Sequence, residues 1–134
     1  AAVDVLEVAL ADRDGSARFA AHGDSPTNSL LEGPGSPDEV EVSMRRGDDA
    51  QTEFGIPDPA VIKIDVEGYE AEVLRGLDRV LRGPNLRAVF IEVHFALLEA
   101  RGLRHAPAEM ERGLRGLGFR THWTDPSHLS ATRS

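Results

Sequence analysis

Apolar positions along this chain change their rhythm about halfway, and the change predicts where the elements lie. Val3 to Ala11 (VDVLEVALA) sets Val3, Val5 and Leu10 among small and acidic residues, and Asp12 to Gly15 (DRDG) supplies a turn. A strand followed by a hairpin is predicted, with Ser16 to Ala21 as the return strand. His22 to Glu39 holds three prolines and three glycines among Ser, Thr and Asn, and reads as a long loop. Val40 to Met44 (VEVSM) alternates as a short strand, and Asp48 to Phe54 predicts a helical turn before Pro57 and Pro59. From Val61 the apolar residues cluster. Val61 to Val66 (VIKIDV) is a short strand ending in acid and glycine. Tyr69, Val73, Leu74, Leu77, Val80 and Leu81 then repeat at helical spacing until Gly83-Pro84.

Leu86 to Val93 (LRAVFIEV) is a near-continuous apolar run, the pattern of a parallel strand covered on both faces. Met110, Leu114 and Leu117 predict a further amphipathic helix opening near Pro107 and closing at Gly118. Phe119 to Trp123 and His128 to Arg133 predict two strands separated by Asp125-Pro126, too close for a crossover and therefore antiparallel. Residues 61–133 thus read β-α-β-α-β-β, an α/β pattern with residues 1–60 as a strand, hairpin and loop region of the same single domain. Doubly wound sheets bind ligands at the carboxyl ends of their strands, so the acidic strand ends become the place to look.

Composition narrows the classes. The 134 residues suit one domain, and the absence of cysteine excludes a thiolate metal cluster, a cysteine nucleophile and a disulfide framework. A cytoplasmic chain fits best. No apolar run approaches the ~20 residues of a membrane helix, and the first residues lack the features of a signal peptide. The start without Met reads as an internal position of a longer chain, with a trimmed chain or a processed N-terminus as the alternatives. The net charge of −8 is uneven, −10 over residues 1–67 and +2 over residues 68–134, and it argues against nucleic acid as a partner. Of the 15 basic residues only Lys63 is lysine.

Ile62 to Glu70 (IKIDVEGYE) carries the most chemistry. Asp65 and Glu67 sit where a buried strand emerges, and Gly68 permits a sharp turn into the helix. Carboxylates there are costly unless they are used or paired. One reading gives them a site; the other has Asp65 capping the helix and Glu67 and Glu70 stabilising its N-terminus through the dipole. In the next strand Glu92 and His94 are two apart and so share a face. If the two strands are neighbours, Asp65, Glu92 and His94 converge at one edge, as an acid/base set or as ligands for a hard or borderline metal. His22, His105, His122 and His128 make no ligand spacing and read as structural. Gly33-Pro34-Gly35-Ser36-Pro37 lacks the strand-to-helix context of a phosphate loop and reads as plain loop.

IKIDVEGYE, followed by VLRGL and the strand VFIEVH, resembles the FkbM-type family of S-adenosylmethionine-dependent methyltransferases. The resemblance extends upstream through Val8-Ala9-Leu10-Ala11-Asp12 with Gly15, Asn28-Ser29-Leu30 and Gly47-Asp48-Asp49, and downstream to Gly118-Phe119 and the final strand pair. The fold this implies is a partial class I methyltransferase sheet, Rossmann-like and mostly parallel, ending in an antiparallel hairpin with its N-terminal strands missing. No segment matches the family's DIGAN-x-G loop or the acid-terminated second strand. The chain is therefore expected to be the C-terminal half of such a domain.

Carried over by position, the resemblance implies that Ala9 and Leu10 border the adenine side of an S-adenosylmethionine site. It also implies that Asp65, Val66, Glu67 and Gly68 form the segment nearest the transferring methyl. Glu92 and His94 would line the acceptor side, with His94 as base, Asp65 second to it, and no metal. The implied acceptor is a hydroxyl on a small molecule or glycan, a sugar or a secondary metabolite. Two other readings stay open. One is a non-catalytic α/β module whose exposed sheet edge serves self-association or pairing with a separate N-terminal half. The other is a metal-dependent hydrolase using Asp65, Glu92 and His94.

Overall fold

The computed structural model describes residues 2–20, 30–31 and 39–134. His22, Asn28, Ser29 and the Gly33–Pro37 stretch lie outside the described residues. Strands β1 (Val8–Ala11), β2 (Gly15–Ala20), β3 (Leu30–Leu31) and β4 (Glu39–Arg46) form one sheet in the order β1-β4-β2-β3. The hairpin expected of the first two strands does not form, because β4 lies between them. It runs parallel to β1, with Val8 opposite Ser43, and antiparallel to β2, with Gly15 opposite Met44. The DRDG turn is fastened to β4 instead of closing on itself. The Asp14 carboxylate accepts the Arg46 backbone N–H at 3.0 Å, and the Arg46 guanidinium donates to the Asp12 carbonyl at 3.1 Å. The first strand is also shorter than its apolar pattern, since Val3 and Val5 precede it and are more than four-fifths exposed. Ala11, Ala17 and Met44 make the small core of this sheet.

Strands β5 (Val61–Ile64), β6 (Ala88–Glu92), β7 (Arg120–Trp123) and β8 (His128–Thr132) form a second sheet in the order β5-β6-β8-β7. β5 and β6 are parallel neighbours, with Ile64 opposite Ile91, and β7 and β8 close the sheet as the expected antiparallel hairpin. The fold is mixed α/β. A mostly parallel sheet is not what the described strands build: two of their six pairings are parallel. Only the β5-to-β6 connection of this sheet carries a helical crossover between paired strands, and the four residues between β7 and β8 cannot reverse the chain into a parallel neighbour.

Coverage of the second sheet is one-sided. Val89 and Ile91 are essentially inaccessible, in a core shared with Leu74, Leu81, Met110 and Leu114. Phe90 and Val61, on the opposite face, are about half exposed. The apolar run of β6 was expected to be covered on both faces; its alternate residues show that helices pack on one.

The single helix expected over residues 69–81 is two, α2 (Glu70–Gly76) and α3 (Asp78–Leu81). The break has two causes. A Cβ on Gly76 would lie 1.9 Å from the Ala11 carbonyl oxygen, so the end of α2 is pressed directly on the end of β1. Beyond it the Asp48 carboxylate, in α1 (Gly47–Glu53), accepts the Arg79 and Val80 backbone N–H groups at 2.8 and 3.0 Å and caps α3 from outside. α4 (Phe95–Ala100) was not anticipated, whereas α5 (Ala106–Gly116) opens at the predicted proline and buries Met110 and Leu114. Among the described residues no helix is long and apolar enough to cross a membrane.

Candidate functional site

The site is built on the turn between β5 and α2. Glu67 and Gly68 take φ of 47° and 96°, left-handed values that a β-branched residue would resist. A Cβ on Gly68 would also lie 2.9 Å from Leu97 Cβ, so glycine is needed for space as well as for conformation. This double reversal drops Glu70 into the interior, where it has no solvent exposure. Its Oε1 accepts the Gly68 backbone N–H at 2.9 Å and lies 2.7 Å from His94 Nδ1, while its Oε2 has no hydrogen-bond partner. Arg101 braces the turn from the other side. It donates to the Gly68 carbonyl, pairs with Glu72 at 2.6 Å and lies over the Tyr69 ring at 3.8 Å.

His94 follows the end of β6 and opens α4. With Nδ1 held by Glu70, its Nε2 faces outward, 3.8 Å from Asp65 Oδ1 and 4.0 Å from Glu92 Oε1. The convergence expected of Asp65, Glu92 and His94 is met: one ligand atom from each lies within 4.8 Å of the others. Glu92 Oε2 in turn lies 3.9 Å from Lys63 Nζ and 3.7 Å from His128 Nε2. His128 is anchored by Asp125, whose carboxyl is held down at about 2. Backbone donation from Ser127 is the largest cause, followed by the His128 side chain.

The capping reading of Asp65 fails, since α2 has Tyr69, not Asp65, at its N-cap and no side-chain cap. Glu70 does sit in the first turn of α2, but its carboxylate is spent on Gly68 and His94. It is the residue that sequence reasoning underrated; its signal was a second acid three positions after Glu67 across a glycine turn. His128 was read as structural, yet the β6–β8 register sets it opposite Glu92. Lys63 and Arg101 were not singled out.

Of the residues assigned to a cofactor, Ala9, Leu10, Asp65 and Val66 line one cavity of about 560 Å³ between β1, β4 and β5. That volume lies within the range of small-molecule sites. Val42, Ile62 and Val73 supply much of its wall, and Tyr69 closes the end nearest the turn. Glu67 and Gly68 shape the turn beside this cavity rather than line it. Asp65 belongs to both places, lining the cavity and facing His94.

Comparison with known proteins identifies the family. A family model described as the methyltransferase FkbM domain matches residues 3–121. A curated relative, the hexuronic acid methyltransferase AglP of Haloferax volcanii, is 42% identical over 48 residues. That stretch is 36% of this chain, which spans only 19% of the relative's length. No solved structure gives a significant match.

Proposed function

The chain belongs to the FkbM methyltransferase family, and from that premise we propose that it transfers the methyl group of S-adenosylmethionine to a hydroxyl oxygen of a sugar or secondary metabolite. The observation that carries this reading is the double position of Asp65, at the edge of the cavity and 3.8 Å from the outward nitrogen of His94. A cavity with apolar walls, one carboxylate (Asp65) and one ammonium (Lys63) suits a ligand that carries charges of both signs among apolar groups. Ala9, Leu10, Asp65 and Val66 would hold it, with Glu67 and Gly68 fixing the backbone beside it.

When bound, S-adenosylmethionine supplies an electrophilic methyl on a sulfonium whose sulfur leaves as a neutral thioether. The residues of the chain do the rest. Asp65, at the cavity edge, would supply negative charge to a bound sulfonium. His94 takes the acceptor's hydroxyl proton on Nε2 as the oxygen attacks, and Glu70, fixed on Nδ1, stabilises the imidazolium that results. Histidine suits this role because its ordinary titration lies near neutral pH. Holding the oxygen in line with the methyl can remove about 7–11 kcal/mol of the barrier, and the rigid turn at residues 67–68 serves that alignment.

The test is calorimetric titration of S-adenosylmethionine into a version of the chain extended upstream and into its Ala9→Phe variant, followed by transfer of labelled methyl to a panel of hexoses and hexuronic acids. Binding that Ala9→Phe abolishes is expected, with transfer reduced about 10²–10⁴-fold by His94→Gln. Equal binding by Ala9→Phe would refute the cavity assignment, and undiminished transfer by His94→Gln would refute the base.

A further inference from the structure

We propose that Asp65, Glu92 and His94 form a divalent-cation site, with the buried Glu70 as the outer carboxylate that fixes the histidine ligand. The proposal goes beyond the methyl-transfer reading and stands independently of it. Its first support is the ligand set: two carboxylate oxygens and an imidazole nitrogen suit a hard or borderline ion such as Mn²⁺ or Zn²⁺.

The second support is the state of His94. Donating its Nδ1 proton to Glu70 at 2.7 Å leaves the Nε2 lone pair pointing outward. That lone pair then faces Asp65 Oδ1 at 3.8 Å and Glu92 Oε1 at 4.0 Å, three electron-rich atoms turned toward one point. A cation between them would be held by all three, while Lys63 Nζ at 3.9 Å and His128 Nε2 at 3.7 Å face the other Glu92 oxygen, Oε2. Ions of this class bind at about 2.0–2.2 Å, which sets tetrahedral ligands about 3.4 Å apart. The two distances from Nε2 need to close by only about half an ångström, and the two carboxylate oxygens, within 4.8 Å of each other, by up to about 1.4 Å. Asp65, half exposed, and Glu92, one-third exposed, are free to make that adjustment while His94 stays fixed.

The third support is Glu70 itself. A carboxylate with no solvent exposure is costly to keep, and its Oε2 has no hydrogen-bond partner among the described residues. A histidine whose far nitrogen is bound to such a carboxylate is the pattern by which proteins orient a metal-binding imidazole and raise its basicity. Because Nε2 has one lone pair, the cation and the acceptor proton exclude each other there. An ion on this site consequently withdraws the base from methyl transfer.

The experiment is titration of Mn²⁺ into the chelator-stripped chain, read by loss of the free-ion electron paramagnetic resonance signal, with Zn²⁺ as competitor. One Mn²⁺ per chain is expected. Asp65→Asn and His94→Gln should each weaken binding by about tenfold or more, and Glu70→Gln, which touches no ion, by about 10–100-fold. Glu99→Gln, exposed on α4, should leave it unchanged. Asp65 and Glu92 are at the surface, so Asp65→Asn/Glu92→Gln keeps the fold, which circular dichroism verifies. The proposal is overturned if that double variant binds Mn²⁺ as tightly as the parent, or if the parent binds none. The readout contains no S-adenosylmethionine, so Mn²⁺ binding with no cofactor binding by the upstream-extended version refutes methyl transfer alone, and the converse refutes the cation site alone.

Discussion

Replacing Glu70 by glutamine preserves shape and removes one charge, which isolates what the buried carboxylate does. The amide oxygen of glutamine can still accept the Gly68 N–H and the His94 Nδ1–H. Its NH₂ group then takes the buried place of Oε2, an atom with no hydrogen-bond partner among the described residues, and the amide is expected to find no acceptor there. Two effects destabilise the variant. A hydrogen bond to a charged group, at about 1.5–3 kcal/mol, becomes a neutral one at about 0.5–1.5 kcal/mol, and a buried amide donor left without a partner costs about 1–3 kcal/mol. Relief of the carboxylate's own desolvation offsets part of this. The net expectation is a loss of about 1–2 kcal/mol, and at about 4 °C per kcal/mol for a chain of this size the melting temperature falls by about 4–8 °C.

The assay is thermal and urea unfolding followed by circular dichroism, with imidazole ¹⁵N shifts to report the His94 tautomer. In the parent chain the proton resides on Nδ1; in Glu70→Gln the two tautomers mix. If Glu70 acted only on the dipole of α2, the loss would be about 0.3–1 kcal/mol and the tautomer would not change. A variant that melts within 1 °C of the parent, about a quarter of a kcal/mol, and keeps the Nδ1–H tautomer refutes the reasoning.

Three further changes test the parts that hold the site. Gly76→Ala drives a Cβ into the Ala11 carbonyl, so the helix end must lift from β1 at a cost of about 1–3 kcal/mol, measured by urea unfolding. Arg101→Lys keeps the charge but loses the planar fork that serves the Gly68 carbonyl and Glu72 together; about 1–2 kcal/mol and faster amide exchange at Gly68 are expected. The folded-state pKa of Asp125 lies below the unfolded one. Its contribution to the β7–β8 turn is therefore complete above about pH 4 and is lost as pH falls toward 2. Exchange of the Ser127 and His128 amides should accelerate over that interval, and Asp125→Asn should abolish the pH dependence.

What the chain revealed on reading, and what it hid, follows from the range of each signal. The β5–turn–α2 unit was legible because strand, glycine and helical repeat lie within one continuous segment. Glu92 and His94 were legible for the same reason, since their spacing of two is a local property. The β1–β2 hairpin was misread because DRDG is a good local turn, while the strand that displaces the pairing arrives more than twenty residues later. The one-sided coverage of β6 was hidden because apolar content reports hydrophobicity and not which face a helix will occupy. FALLEA, at six residues, is too short to show a helical period. Glu70 was ambiguous because an acid in a first turn satisfies the dipole as readily as it satisfies a buried imidazole; only the left-handed pair at Glu67 and Gly68 decides between them.

These two ends of α2 suggest how the site keeps its shape. The first residue of the helix, Glu70, fixes His94, and the last, Gly76, seats β1, which carries Ala9 and Leu10. The Arg75–Asp12 pair at 3.1 Å adds to that second contact. A seven-residue helix is about 10 Å long, so the two contacts are separated by a nearly rigid strut and share no partner. Their effects on stability should therefore add, with Glu70→Gln/Gly76→Ala losing the sum of the single changes to within about 0.5 kcal/mol. Ligand binding should not add in the same way. Asp65 lies between the cavity that β1 walls and the histidine that Glu70 orients, so a shift at either end of the strut misplaces the same carboxylate. Once one change has moved Asp65, the second has less left to disrupt. S-adenosylmethionine affinity of the double variant should thus exceed the value expected from simple addition, and strict additivity in both measurements would show that the two ends act on separate sites.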